Sequence, residues 1–189
     1  MPLHLYSAPA PAERSVRAAL HSSAVPTPHP LQRDRGSLEP ASPLPVHRLD
    51  PMPYPGAPPR TRLTGWRFLL ERRGRAVGAA ETVLTPDGWA FSHFLEGPYI
   101  ASGCAALRQA EAMDGAYQPQ LLSVPELYML TLWLRPGTAS DPAESSPSAL
   151  DLLVPLAPAP PGIASGRPQP VEALLPQLTR RLTPSTLAG

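Results

Sequence analysis

The longest apolar run of the chain covers residues 124–134 and constrains the fold more than any other segment. In a β-strand, alternate side chains point to opposite faces of the sheet, and both sets are apolar here. The two sets are Leu127, Met129 and Trp133 on one face, and Tyr128, Leu130, Leu132 and Leu134 on the other. A strand that is apolar on both faces belongs inside a sheet that is covered on both sides. The run therefore predicts a central strand with two covering layers.

Two hairpins precede this run. Residues 65–71 alternate between apolar and polar side chains, which is the period of two expected of a half-buried strand. Residues 72–75 contain a glycine suited to a tight turn, and residues 76–84 return as a second strand. Proline and glycine within residues 85–88 predict another turn, after which residues 89–94 form a third strand.

Two helices and one more strand complete the predicted fold. Residues 99–113 place apolar and small residues on one stripe, which predicts a helix that packs on the sheet. Residues 150–156 predict a strand beside the apolar run, and residues 170–182 predict a closing helix that Pro176 kinks or shortens. The fold class is therefore α+β, an antiparallel sheet of about five strands (β-β-β-α-β-β) with one or two packed helices. The second cover of the apolar run is the C-terminal helix, an N-terminal helix or a partner chain.

Prolines divide the chain into three parts. Of the 29 prolines, fourteen lie in residues 1–61 and only four in residues 62–134. Proline removes a backbone donor and favours extended conformations in the preceding residue, so regular structure is not expected between Pro26 and Pro59. The predicted parts are a proline-rich N-terminal arm at 1–61 with a short helix at 11–21, a single α+β domain at 62–157, and a proline-rich linker with a C-terminal helix at 158–189.

Composition limits the partners and the compartment. All 16 cationic residues are arginine, and lysine and asparagine are absent, which indicates a GC-rich bacterial genome. A net charge of +1 gives no long-range field toward nucleic acid or an anionic membrane. One cysteine, Cys104, excludes an intramolecular disulfide and fits a reducing cytosol. No secretory signal is recognisable at the N-terminus, and no apolar run approaches the ~18–20 residues that span a bilayer. We therefore expect a cytoplasmic protein.

The densest polar group lies where the third strand is followed by the first long helix. His93, Glu96 and Tyr99 are candidate ligand-binding residues there, because acid, base and hydroxyl groups at such a junction often line a cleft. The alternative is that Glu96 stabilises the helix N-terminus and the other two are ordinary half-buried side chains. Cys104 lies on the apolar stripe of the helix, where cysteine behaves as a small hydrophobe. No catalytic residue, metal site or cofactor is assigned.

Arginines gather at the turn of the first hairpin. Arg72, Arg73 and Arg75 are candidate anion-binding residues, since guanidinium groups bind phosphate and carboxylate. The aromatic residues Trp66 and Phe68 lie near them in sequence, but the strand alternation turns these rings toward the core. Nucleic acid is therefore not the expected partner, and a solvated hairpin tip is the alternative.

The function predicted from these observations is non-catalytic interaction or assembly. The chain would hold a protein partner, or a second copy of itself, through its proline-rich arms or a sheet face. The Pro-x-x-Pro matches at 40–43, 55–58 and 158–161 fit extended ligands of aromatic grooves. The alternative is a small-ligand-binding domain or enzyme whose cleft contains His93, Glu96 and Tyr99.

Overall fold

The computed structural model describes residues 3–26, 28–32, 35–51, 59–137, 141–144 and 146–182. Its helices are α1 (Ala10–His21), the single turn α2 (His29–Gln32), α3 (Pro98–Glu111) and α4 (Val171–Leu182). Its strands are β1 (Glu39–Leu49), β2 (Thr61–Arg72), β3 (Arg75–Thr85), β4 (Gly88–Leu95), β5 (Tyr117–Val124), β6 (Met129–Pro136), β7 (Leu152–Pro155) and β8 (Gln169–Pro170). Three short 3-10 segments lie at Arg35–Ser37, Pro125–Leu127 and Pro142–Glu144.

All eight strands join one sheet in the order β4-β3-β2-β1-β5-β6-β7-β8. Every neighbouring pair is antiparallel except β1 and β5, which are parallel. The predicted class, helices packed with a mostly antiparallel sheet, is confirmed. The predicted number of about five strands is wrong, because β1, β5 and β8 were not expected. Among the described residues, no helix has the length and apolar character needed to cross a membrane.

The apolar run at 124–134 is not one strand. Pro125–Leu127 forms a 3-10 turn, and Tyr128 follows with a φ of 50°, so the chain reverses and β6 pairs antiparallel with β5. Tyr128 is 89% exposed, which corrects its predicted place on an apolar face. From Met129 onward the predicted alternation is confirmed. Met129 and Trp133 belong to the apolar cluster beneath α4, and Leu130 and Leu132 belong to the cluster beneath α3.

The prediction that residues between Pro26 and Pro59 lack regular structure is wrong for β1, which lies near the middle of the sheet. Its ladder with β5 covers only Val46–Arg48, and Pro40, Pro43 and Pro45 all precede that ladder. Those prolines therefore lie where β1 pairs with β2 but not with β5. A proline that faces the unpaired side lacks an N–H that would have had no partner strand, so no ladder bond is lost. A register shift near Ser42, whose φ is 45°, marks a bulge in the same stretch.

Helices cover both faces of the sheet. On one face, α3 packs over Leu44 of β1, Leu132 of β6 and Leu156 after β7. On the opposite face, α1 covers a cluster that includes Trp66, whereas α4 covers one that includes Trp133. The C-terminal helix is therefore the second cover of β6, one of the three alternatives that the sequence left open.

The described parts of the proline-rich segments are not separate arms. Residues 1–61 contribute α1, where a short helix was predicted, and β1, and residues 158–189 contribute α4 to the same core. The helix predicted at 170–182 extends over Val171–Leu182, with the exposed Pro176 inside it.

Candidate functional site

A polar row crosses strands β2, β3 and β4 on the face that carries α3. Arg67, Glu81 and His93 lie opposite one another in the ladder. Arg67 Nε donates to Glu81 Oε1 at 2.8 Å, and the guanidinium makes a second bond to the same oxygen. His93 Nε2 is 3.9 Å from Glu81 Oε2, and Ser92 Oγ is 2.9 Å from His93 Nδ1. The row therefore links a hydroxyl, an imidazole, a carboxylate and a guanidinium.

Burial decreases along this row toward the edge of the sheet. The exposed fraction is 12% for the Arg67 side chain, 20% for Glu81 and 53% for His93. The Ser92–His93–Glu81 connectivity resembles that of a nucleophile, a base and an orienting carboxylate. The 3.9 Å between His93 Nε2 and Glu81 Oε2 is too long for a hydrogen bond, and the Glu81 carboxylate is bound by Arg67 instead. The geometry thus favours an ion-pair network over an activated serine.

The three predicted ligand-binding residues have different surroundings. His93 contacts Ser92 and Glu81, and Glu96 is exposed in the link between β4 and α3. The Tyr99 hydroxyl is a hydrogen-bond donor placed between two carbonyl oxygens, 2.7 Å from that of Tyr128 and 2.9 Å from that of Pro158. Tyr99 therefore ties the first turn of α3 to two loops.

The environment of Tyr99 fits this structural role. Burial raises the pKa of its hydroxyl, and the nearby Arg67 guanidinium partly opposes that effect. Tyr99 and Arg67 also line a cavity of about 20 Å³, which has room for about one water molecule. A ligand larger than a water molecule would not fit that cavity.

Two larger clefts flank the turn between β2 and β3. The first, about 520 Å³, lies between that hairpin and α3, and Cys104 is part of its lining. Burial raises the pKa of the Cys104 thiol, so the reactive thiolate is disfavoured. The second cleft, about 830 Å³, brings together the three predicted anion-binding residues, Arg72, Arg73 and Arg75.

The end strand β4 presents an edge that sequence reasoning did not identify. β4 bonds to β3 on one side, and no described strand pairs with its other side. Its residues, Gly-Trp-Ala-Phe-Ser-His-Phe-Leu, include no proline and no carboxylate, lysine or arginine. At the adjoining hairpin tip, Val83 is 38% and Leu84 54% exposed, opposite Ala90 and Trp89. β4 lies at the end of the sheet because of long-range strand pairing, which local sequence patterns do not encode.

A second polar group is buried on the opposite face of the sheet. His47 is fully buried, with its ring 5.4 Å from that of Trp133 at an interplanar angle of 72°. Trp133 Nε1 donates at 2.8 Å to Oδ2 of Asp151, which is also buried. The pKa of His47 is lowered from 6.5 to about 4, chiefly by burial and also by the Arg135 charge, while the interaction with the Gln120 side chain opposes this shift. His47 is therefore neutral at physiological pH.

Comparison with known proteins identifies no relative. No protein-family model, curated protein or solved structure matches this chain. Among the described residues, no group of three or more His, Cys, Asp or Glu is arranged to hold a metal ion.

Proposed function

We propose that this protein is a non-catalytic interaction protein that assembles by adding a β-strand to the free edge of β4. The observation that carries this proposal is an eight-residue edge strand without proline or a formally charged side chain at neutral pH. Soluble proteins usually protect such edges with lysine, proline or a covering segment, because the unpaired N–H and C=O groups recruit another strand. From composition, we place this assembly in the cytoplasm of a GC-rich bacterium.

The edge is a better candidate for the interaction than the arms or the sheet faces. Helices pack over apolar clusters on both faces, and the α3 face becomes exposed toward β4, where the His93 side chain is 53% exposed. The Pro-x-x-Pro match at 40–43 is part of β1, and the match at 158–161 contributes Ala159 to the cluster beneath α4. The match at 55–58 lies outside the described residues.

The occupant that we propose for this edge is a second copy of the chain. The edge requires an extended, uncharged strand with apolar side chains, and β4 itself has those properties. Two β4 strands related by a twofold axis would pair antiparallel, with the same patch on both subunits. Like charges directly opposite one another destabilise cross-strand pairs, and β4 has no carboxylate, lysine or arginine to place in that position.

The test is the molar mass in solution across a wide concentration series. We expect the wild-type mass to rise from 20.2 kDa toward twice that value as concentration increases. Ser92 is exposed on β4, so Ser92→Lys places a charge on the edge and should keep the protein monomeric. Ala173→Lys adds the same charge to the exposed side of α4 and should leave association unchanged.

Two results would overturn this proposal. One is a wild-type protein that stays at 20.2 kDa throughout the series. The other is association that Ser92→Lys and Ala173→Lys weaken equally, because that would show a general charge effect.

A small-ligand or enzymatic role at His93, Glu96 and Tyr99 is the second candidate. The Ser92–His93–Glu81 connectivity is the observation that favours it. If the site is hydrolytic, the protein should cleave an activated ester such as p-nitrophenyl acetate, and Ser92→Ala and His93→Ala should abolish that activity. Turnover no faster than buffer, or turnover that both variants retain, would reject hydrolysis.

A further inference from the structure

The second cleft at the β2–β3 turn concentrates positive charge in a concave site. Gly36, Ser37, Ala76 and Val77 line it together with Arg72, Arg73 and Arg75, and its volume is about 830 Å³. Among the described residues of this lining there is no carboxylate. Pockets of roughly 300–1,000 Å³ are of the size that holds small molecules in proteins.

Arg73 and Arg75, the two exposed arginines of this cleft, form no ion pair with an acidic side chain that the structure describes. Among the described residues, ion pairs involve Arg17, Arg48, Arg62 and Arg67, whereas neither Arg73 nor Arg75 takes part in one. Arg72 is half-buried beside them. The chain as a whole carries a net charge of only +1, so three arginines in one cleft are a local concentration of positive charge.

Backbone strain at Arg73 is an independent observation at the same place. Arg72 and Arg75 pair across the hairpin, and the two residues between them, Arg73 and Gly74, have φ values of 51° and 71°. Such a turn favours asparagine or glycine at both central positions, and a long side chain there is strained. Residues held in sparsely populated conformations are concentrated at functional sites.

We infer that this cleft binds a small, soluble phosphate-bearing anion. The planar guanidinium groups of Arg73 and Arg75 suit the oxygen geometry of a phosphate, and Ser37 is part of the same lining. The lining holds three guanidinium groups, so a ligand with two phosphate groups fits the charge better than a monophosphate.

Isothermal titration with inorganic pyrophosphate, at an ionic strength held constant with sodium chloride, tests this inference. We expect saturable binding that Arg73→Gln and Arg75→Gln each weaken roughly five- to tenfold, since each removes a charge-assisted hydrogen bond. Arg14→Gln removes another exposed arginine, from α1, and should leave the affinity unchanged.

A turn-preserving variant separates binding from folding. Asparagine tolerates positive φ better than arginine does, so Arg73→Asn should raise the urea midpoint. It should weaken pyrophosphate binding as much as Arg73→Gln does. Equal losses in the Arg14, Arg73 and Arg75 variants, or no heat with wild-type protein, would overturn the inference. Sedimentation of the wild-type protein with phosphatidylglycerol vesicles but no pyrophosphate binding would also overturn it, in favour of a surface that recognises lipid headgroups.

Discussion

The buried imidazole of His47 makes a quantitative prediction about stability and pH. In the folded protein its pKa is about 4, compared with 6.5 for an unperturbed histidine. Between these values the unfolded chain binds the proton more tightly, so the free energy of unfolding rises with pH. The stability is therefore fully present above about pH 6.5 and is lost as the pH falls toward 4.

The size of the effect follows from the same two values. At 1.36 kcal/mol for each pKa unit, the free energy of unfolding falls by about 3 kcal/mol as the pH is lowered through this range to about 4. Most of this loss, about 2 kcal/mol, falls between pH 7 and pH 5. Arg135 disfavours the protonated ring, whereas the Gln120 amide favours it. Asp151, which accepts from Trp133 beside the ring, is the buried carboxylate on this face.

Urea unfolding of wild-type protein and His47→Gln, followed by circular dichroism, provides the assay. The other titrating groups are common to both proteins, so the difference between the two free energies isolates His47. We expect the wild-type protein to lose about 2 kcal/mol relative to the variant between roughly pH 7 and pH 5. Parallel pH profiles for the two proteins would refute the argument that desolvation holds this ring neutral.

Removing a polar group from Trp133 or from Thr131, two nearby residues of β6, should change the free energy of unfolding in opposite directions. Trp133→Phe deletes one donor to the buried Asp151 carboxylate, which also accepts from the Ser148 backbone N–H, and should lower the free energy of unfolding by about 2 kcal/mol. Thr131→Val replaces a fully buried hydroxyl that has no hydrogen-bond partner among the described residues, and should raise it by about 1 kcal/mol. Both are measured by urea unfolding at neutral pH, and changes of the same sign would contradict the assignment of satisfied and unsatisfied groups.

Local chemistry predicted the first half of the sheet well. The turn at residues 85–88 has proline and glycine where the structure forms the β3–β4 hairpin, with Thr85 Oγ1 donating to the Gly88 carbonyl oxygen at 2.8 Å. Glycine at position 74 likewise marks the β2–β3 turn. α3 begins at Pro98, one residue before the start predicted at residue 99.

The elements that were missed depend on long-range pairing. β1 carries three prolines, and only its short ladder with β5 makes them compatible with a strand near the middle of the sheet. The break within residues 124–134 occurs at Tyr128, a residue type that does not favour positive φ. The candidate site shows the same limit, since the place of β4 at the end of the sheet and the Arg67–Glu81–His93 row both follow from strand order.

Backbone hydrogen exchange along β4, compared at low and high protein concentration, tests the proposed strand addition most directly. If a second copy pairs with this edge, amides that point away from β3 should exchange more slowly at high concentration, and Ser92→Lys should remove that protection. Outward-pointing amides that exchange at the same rate at every concentration would contradict the proposal.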